Sequence, residues 1–471
     1  MAVTPALPER NRIITANRDD YGEIYPQLTF LDPQAAVMAE RRRAELLAAL
    51  GSQLQSACGG TKLYTRQLAP GCVRCIEGRW SCLFINGRCN LNCFYCPGRQ
   101  NETGLPTTNT IDFHSPADYV SYLDQFDFRG MSLSGGEPLL TPGRTLAFLR
   151  AAKNKFGARL HTWLYTNGSL LTQDLLNKLR DAGLDEIRFD IGAVNYSLEK
   201  PLLAVGTIPD VTVEIPAVPE EVELLKAKLI EMADQGISFL NLHQLRLTAY
   251  NHPRLVGRPY TYLHGEKITV LESELAALEI IRHSIEKNIR LPVNYCSFVY
   301  KHRYQKAAAR IRGSGYMIKP CEATTAAGYV RALTLNGEPE QLGRIAEHLS
   351  RQQLPPESWV LNAAGRQLSF AAELWQQIDF TDLTLAISYA ITPVLAAVSY
   401  RNPFRQLQLP SGRKMVVERN RVAGFELRGS DIVKYFQWIT QASDGQARLP
   451  DQPLRDILSY EQLRTGLQDY F

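Results

Sequence analysis

The chain has 471 residues, of which 45% are hydrophobic and 21% charged, enough for one large core plus one or two smaller units. A net charge of +4 gives no electrostatic reason to expect a nucleic acid or an anionic membrane as partner. Nine cysteines, seven of them between Cys58 and Cys96, are too few and too clustered for a disulfide scaffold and point to metal in a reducing, cytoplasmic compartment.

In chain order, residues 1–57 read as a helical lead-in, because 33–54 is rich in Ala, Glu, Arg and Leu, and the opening residues lack the apolar stretch of a signal peptide. Residues 58–88 form a cysteine-rich loop and a first strand. Strands are expected at 80–85, 130–134, 160–165, 186–191, 211–215 and 239–247, with helices at 144–156, 172–182 and 220–235 between them. Strand–helix alternation at this interval predicts a parallel α/β sheet, most simply a partial (β/α)-barrel over 89–250. Residues 251–320 read as a barrel extension with a helix at 272–286. Residues 321–471 read as a mixed α+β C-terminal domain, with strands at 329–335, 383–389 and 415–427 and a helix at 431–440. The apolar run 383–400 contains Ser388, Thr392, Pro393 and Ser399, and is expected as a buried strand–helix passage rather than a membrane span.

Chemistry concentrates in Cys89-Asn-Leu-Asn-Cys93-Phe-Tyr-Cys96. Three thiolates at this spacing can hold three irons of a [4Fe–4S] cluster and leave the fourth open to an outside ligand. A structural zinc site would call for a fourth ligand and would not explain Ser134-Gly135-Gly136-Glu137-Pro138 downstream. Each motif falls at a strand end: the cysteine loop after the first strand, Gly135-Gly136-Glu137 after the second, Thr166-Asn167-Gly168 after the third, and Asp190 at the fourth. Strand C-terminal ends are where barrels of this kind place their active sites.

These residues resemble the radical S-adenosylmethionine (SAM) superfamily. The resemblance implies that SAM binds the open iron and is cleaved to a 5′-deoxyadenosyl radical. It gives Cys89, Cys93 and Cys96 the cluster, and Gly135, Gly136 and Glu137 the methionine amino group. Tyr95 would contact adenine, and Ser134, Thr166, Asn167 and Asp190 would line the cofactor.

Cys58, Cys72, Cys75 and Cys82 make a second group, Cys-x13-Cys-x2-Cys-x6-Cys. Four thiolates suit tetrahedral iron or zinc; a second iron–sulfur cluster, or ordinary buried thiols around a Cys72–Cys75 pair, are the alternatives. The stretch 70–85 and the stretch Leu291-Pro-Val-Asn-Tyr-Cys-Ser-Phe-Val-Tyr-Lys-His-Arg-Tyr-Gln resemble the methanogenesis marker protein 10 branch, which includes a protein arginine C-methyltransferase. That resemblance implies an extra iron on the four cysteines, a cobalamin held by the C-terminal domain, and methylation of an sp3 carbon in a protein or peptide. The Asp-x-His-x-x-Gly signature of many cobalamin proteins is absent: Asp112-Phe-His114-Ser-Pro-Ala117 lacks the glycine, so His114 reads as a solvent-side loop residue. Tyr295, Cys296 and Lys301 are candidates for substrate or cofactor contact, with Cys296 and Cys321 otherwise small core residues. An arginine target would need a carboxylate such as Glu214 at the barrel mouth.

The leading expectation is therefore a cobalamin-dependent radical SAM C-methyltransferase acting on a protein or peptide, with a reductase, flavodoxin or ferredoxin as electron donor. The alternative is a radical SAM activase or peptide maturase without cobalamin.

Overall fold

Repeated strand–helix units dominate the first two-thirds of the chain in a computed structural model that describes residues 7–355, 357–441 and 454–471. The chain divides into two compact units, Met1–Gln305 with Thr465–Phe471, and Lys306–Arg464. The last seven residues belong to the first unit.

In the first unit the strands are β1 (Leu54–Ala57), β2 (Lys62–Thr65), β3 (Trp80–Arg88), β4 (Gly130–Gly135), β5 (His161–Thr166), β6 (Glu186–Phe189), β7 (Asp210–Pro216), β8 (Phe239–His243) and β9 (Val293–Cys296). The main helices are α1 (Leu7–Tyr21), α2 (Pro33–Leu50), α3 (Pro70–Ile76), α4 (Pro116–Gln125), α5 (Pro142–Phe156), α6 (Gln173–Asp181), α7 (Val222–Asp234) and α8 (Leu271–Glu286). Strands β3 to β9 lie side by side in sequence order, all parallel; β2 then pairs antiparallel with β9, and β1 with β2. The other edge continues from β3 into the short hairpin of Thr107–Thr108 and Ile111–Asp112. The sheet does not close on itself, so the architecture is the expected partial (β/α)-barrel.

Local sequence explains the elements. Ser115, Thr172 and Asp32 cap α4, α6 and α2 by accepting backbone N–H bonds from Asp118, Leu175 and Ala35. The outer face of each strand is apolar: Leu83, Leu133, Leu164, Ile187, Val213 and Leu240 are fully buried. The inner face carries polar and charged residues at every second position, as in Glu186, Arg188 and Asp190.

Two expectations shift here. Residues 293–296, read as part of an extension, supply the last parallel strand, and 54–65 form a sheet hairpin inside the stretch read as lead-in and metal loop. Tyr295 points away from the barrel mouth: its hydroxyl donates to buried Glu274 (2.9 Å), which also binds Arg43 (3.0 Å) and the Tyr470 hydroxyl (2.6 Å).

The second unit is built on an antiparallel sheet in the order Trp359–Leu361, Gln367–Phe370, Val330–Asn336, Thr384–Ile391, Asn420–Arg428. Helices Pro339–Ser350 and Ser430–Gln441 accompany it, with Phe370, Phe380, Phe436 and Tyr435 in the core. Two expectations are corrected. The apolar run 383–400 holds strands Thr384–Ile391 and Val394–Leu395 and no helix. The strand expected at 415–427 is two, Lys414–Glu418 and Asn420–Arg428, separated at Arg419, whose guanidinium binds Glu322 at 2.7 and 2.8 Å.

Candidate active site

At the C-terminal ends of the parallel strands lies a cavity of about 900 Å³. The three loop cysteines, Tyr95, and all the residues expected around SAM from Ser134 to Asp190 line it. The loop leaves β3 at Cys89, whose N–H donates to Gln100 O (3.0 Å), and folds back so that Cys96 N–H meets Cys93 O (3.1 Å). Arg254 pins its outer side through Asn92 Oδ1 (2.8 Å) and Cys93 O (2.9 Å), and Arg258 covers the Phe94 ring at 3.7 Å. Tyr95 turns inward and donates its hydroxyl to Asp190 Oδ1 at 2.8 Å.

Burial pushes the Cys89 thiol up, and burial with Asp190 close by pushes Cys93 up to about 11. Asp190 is itself raised to about 6, chiefly by burial. Cys93 feels the charges of both Cys89 and Cys96, so the three thiols form one group. Among the described residues, no three His, Cys, Asp or Glu side chains surround a single-ion position. A three-cysteine cubane does not require one, because each thiolate takes a different iron. The residues present fit such a cluster: three free thiols, a shared cavity, and no fourth cysteine lining it.

The two glycines at the end of β4 have a structural cause. Gly135 has φ +119°, and a Cβ there would strike Asn86 O, while one on Gly136 would strike Arg88 O. Their position is fixed by Gly136 N–H to Asn86 O (2.9 Å) and Glu137 N–H to Arg88 O (2.7 Å). Glu137 is 1% exposed and accepts from Leu139 N–H (2.9 Å), the Thr166 hydroxyl (2.8 Å) and Asn167 N–H (2.8 Å). It ties the end of β4 to that of β5. Asn167 in turn donates to Asn90 Oδ1 (3.0 Å) and lies 3.8 Å from Cys89 Sγ, so the carboxylate network reaches the cysteine loop.

Beneath this layer, sequence reasoning missed a buried ionic network. Arg188 Nε donates to Glu186 Oε1 (2.8 Å) and Nη1 to Glu214 Oε2 (2.6 Å), with Trp163 and Tyr165 stacked beside the guanidinium. Glu214 also binds Asn241 (2.9 Å) and His243 (2.5 Å). Despite burial, Arg188 above all holds Glu186 down to about 2 and Glu214 well below the usual carboxylate range. Glu214 was expected as a carboxylate for a substrate guanidinium. Arg188 of the chain itself occupies it. The available signal was Glu186-Ile-Arg-Phe-Asp190, charges at period two inside a parallel sheet.

The other four cysteines come from three places, α3, β3 and the β1–β2 turn. Cys72 and Cys75 sit on α3: Cys72 accepts from Arg188 (3.6 Å) and Asn241 (3.5 Å), Cys75 contacts Tyr300 (3.1 Å) and Gln305 (2.9 Å). Cys82 lies on β3 against Ser132 and Ser134, and Cys58 sits in the turn after β1 with φ +51°. Among the described residues, no three of these side chains surround a single-ion position. Of the remaining candidates, Lys301 lines the cavity; Cys296 is buried beside Lys62 and His243 in sheet register; Cys321 is buried; His114 is exposed.

Comparison with known proteins agrees with the site. A family model for the radical SAM superfamily matches residues 83–215. The "Putative glycyl-radical enzyme activating enzyme" of Methanocaldococcus jannaschii is 30% identical over 303 residues, 61% of this chain and 79% of that protein. A GTP 3′,8-cyclase of Desulforamulus reducens is 27% identical over 154 residues, 33% of this chain and less than half (46%) of that enzyme. Among solved structures, SuiB of Streptococcus suis bound to SAM aligns with 12% identity and a TM-score of 0.36, covering 49% of this chain and 56% of that one. The chain belongs to the radical SAM superfamily and is a radical SAM enzyme, which implies a [4Fe–4S] cluster and SAM as cofactors. No helix among the described residues is long and apolar enough to cross a membrane.

Proposed function

We propose that this enzyme generates a 5′-deoxyadenosyl radical in the cavity above β3 to β8 and uses it to abstract hydrogen from a protein or peptide substrate. The observation that carries the reading is the convergence of Cys89, Cys93, Cys96 and the Gly135–Gly136–Glu137 turn on one cavity at the strand ends. When bound, the cluster supplies the electron that splits SAM. Cys89, Cys93 and Cys96 would hold three of its irons, while the backbone edge at Gly135, with Asn167 and Asp190, would orient the polar groups of SAM. Tyr95 locks the loop against β6, and Arg254 and Arg258 close its outer side. The apolar shell of Tyr21, Leu245 and Leu247, packed against Phe94 and Tyr95, restricts water on that side.

Of the finer readings, an activase or maturase without cobalamin is supported by the activating-enzyme name of the 30% identical relative. Methyl transfer from cobalamin by a marker-10-like enzyme is the second reading, favoured by the stretches 70–85 and 291–305. A domain division in which 321–471 holds the cobalamin belongs to that second reading. Anaerobic reconstitution with iron, sulfide and hydroxocobalamin, followed by desalting, separates them. The activase reading expects an iron–sulfur spectrum with cobalamin washed away; stoichiometric retained cobalamin would overturn it in favour of methyl transfer.

A further inference from the structure

The polar groups of the cavity differ in how fully they are already used. Its carboxylates are engaged within the protein: Glu137 by three donors, Asp190 by the Tyr95 hydroxyl, and Glu214 by Arg188, Asn241 and His243. The donors on the wall that follows β8 have no carboxylate partner among the described residues. Gln244 is 5% exposed; its Oε1 accepts Phe298 N–H at 3.2 Å, which fixes the amide, and its Nε2 is buried without a partner. Lys301 has His243 Nδ1 at 3.4 Å as its neighbour and, among the described residues, forms no ion pair with a carboxylate. Arg246 rests over the Phe298 ring at 5.4 Å, also without a carboxylate partner among the described residues. Lys301 opens the π-helical turn Lys301–Gln305, a distortion that recurs at functional sites.

A buried donor without an acceptor is costly, and two cations facing one cavity repel each other until an anion joins them. A carboxylate suits all three groups, since its oxygens accept from an ammonium, a guanidinium or an amide. A guanidinium would meet the opposite: occupied carboxylates and two cationic side chains. We propose that Gln244, Arg246 and Lys301 bind a carboxylate of the substrate, so that the substrate is an acidic peptide or a small carboxylic acid rather than an arginine-bearing segment. The proposal rests on the radical SAM reading in taking this cavity as the substrate site.

The test is calorimetric titration of the full-length, cluster-reconstituted protein with saturating SAM. The probes are acetylated and amidated Ala-Ala-Glu-Ala-Ala, its Gln, Lys and Arg counterparts, and the small pair glutarate and glutaramide. The Glu peptide is expected to bind about tenfold or more tighter than its Gln, Lys and Arg counterparts, with that preference collapsing in Lys301→Gln. Arg246→Gln is the second variant should the first not fold. Preference for glutarate over glutaramide without a peptide preference assigns the same wall to a free acid. Equal binding of acid and amide in both series overturns the proposal. So do preference for the Lys or Arg peptide, an acid preference that survives in the variant, and an acid preference that a parallel titration without SAM shows but the saturated protein lacks, which would assign the wall to the carboxylate of SAM. Binding needs no turnover, so failure to cleave SAM would count against the radical SAM reading and leave this result standing.

Discussion

Tyr95, one residue before the last cysteine of the loop, donates its hydroxyl to Asp190 at the end of β6, 2.8 Å away. This bond joins the segment carrying the three thiols to a strand three positions along the sheet from β3. Asp190 is a buried carboxyl, and the bond favours its charged form. Tyr95→Phe is expected to lower stability at pH 7 by about 1–3 kcal/mol, as for a hydrogen bond to a charged group, and to reduce retained iron after reconstitution. Urea unfolding and iron analysis check it; unchanged values for both would show that the bond does not hold the loop.

The turn after β4 tolerates no side chain. Gly136→Ala would drive a Cβ into the Arg88 carbonyl, separating β3 from β4 where the loop begins. A loss of about 2–3 kcal/mol is expected, with loss of cluster incorporation. Gly98, in the same loop with nothing within 4 Å of its Cβ position, is the control: Gly98→Ala should change stability by less than about 0.5 kcal/mol.

Arg188 neutralises two buried carboxylates. Arg188→Leu removes the guanidinium that both Glu186 and Glu214 bind, leaving His161 against Glu186 and His243 against Glu214, and is expected to cost about 3–5 kcal/mol. Restoration of part of that loss by adding Glu186→Gln would identify the stranded charge, rather than lost packing, as the cause.

The same network sets a pH dependence. The folded state holds the Glu186 pKa down to about 2, below its ordinary 4.5, so the unfolded state binds more protons in that window. Its contribution is present above pH 4.5 and disappears as pH falls towards 2. Glu186→Gln should therefore narrow the stability difference between pH 5 and pH 3, measured by urea unfolding at each pH. An unchanged difference would remove Glu186 from the acid response.

The parallel strands were legible because each pairs a short apolar run with an amphipathic helix, and because the motifs fall at strand ends. The ninth strand was not. Val293–Cys296 follows Leu291-Pro292, is preceded by an irregular stretch, and is only four residues long. The β1–β2 hairpin was hidden by the cysteine and glycine density at 58–60, which reads as a metal knot when tertiary pairing is unknown. The Arg188 network is a tertiary property: Glu186, Glu214, Asn241 and His243 sit on three strands, and only sheet register brings them together. The reason for Gly135 and Gly136 also differs from the expected one. They are demanded by the backbone of β3, whatever SAM requires of them in addition.

The central claim is that Cys89, Cys93 and Cys96 form a cluster site that cleaves SAM. The most direct test is anaerobic reconstitution of the full-length protein, reduction with dithionite, and quantitation of 5′-deoxyadenosine by chromatography, beside Cys93→Ala treated identically. The account predicts 5′-deoxyadenosine from the wild-type protein and none above background from the variant. A reconstituted wild-type protein that leaves SAM intact, or a variant that cleaves it equally well, would contradict it.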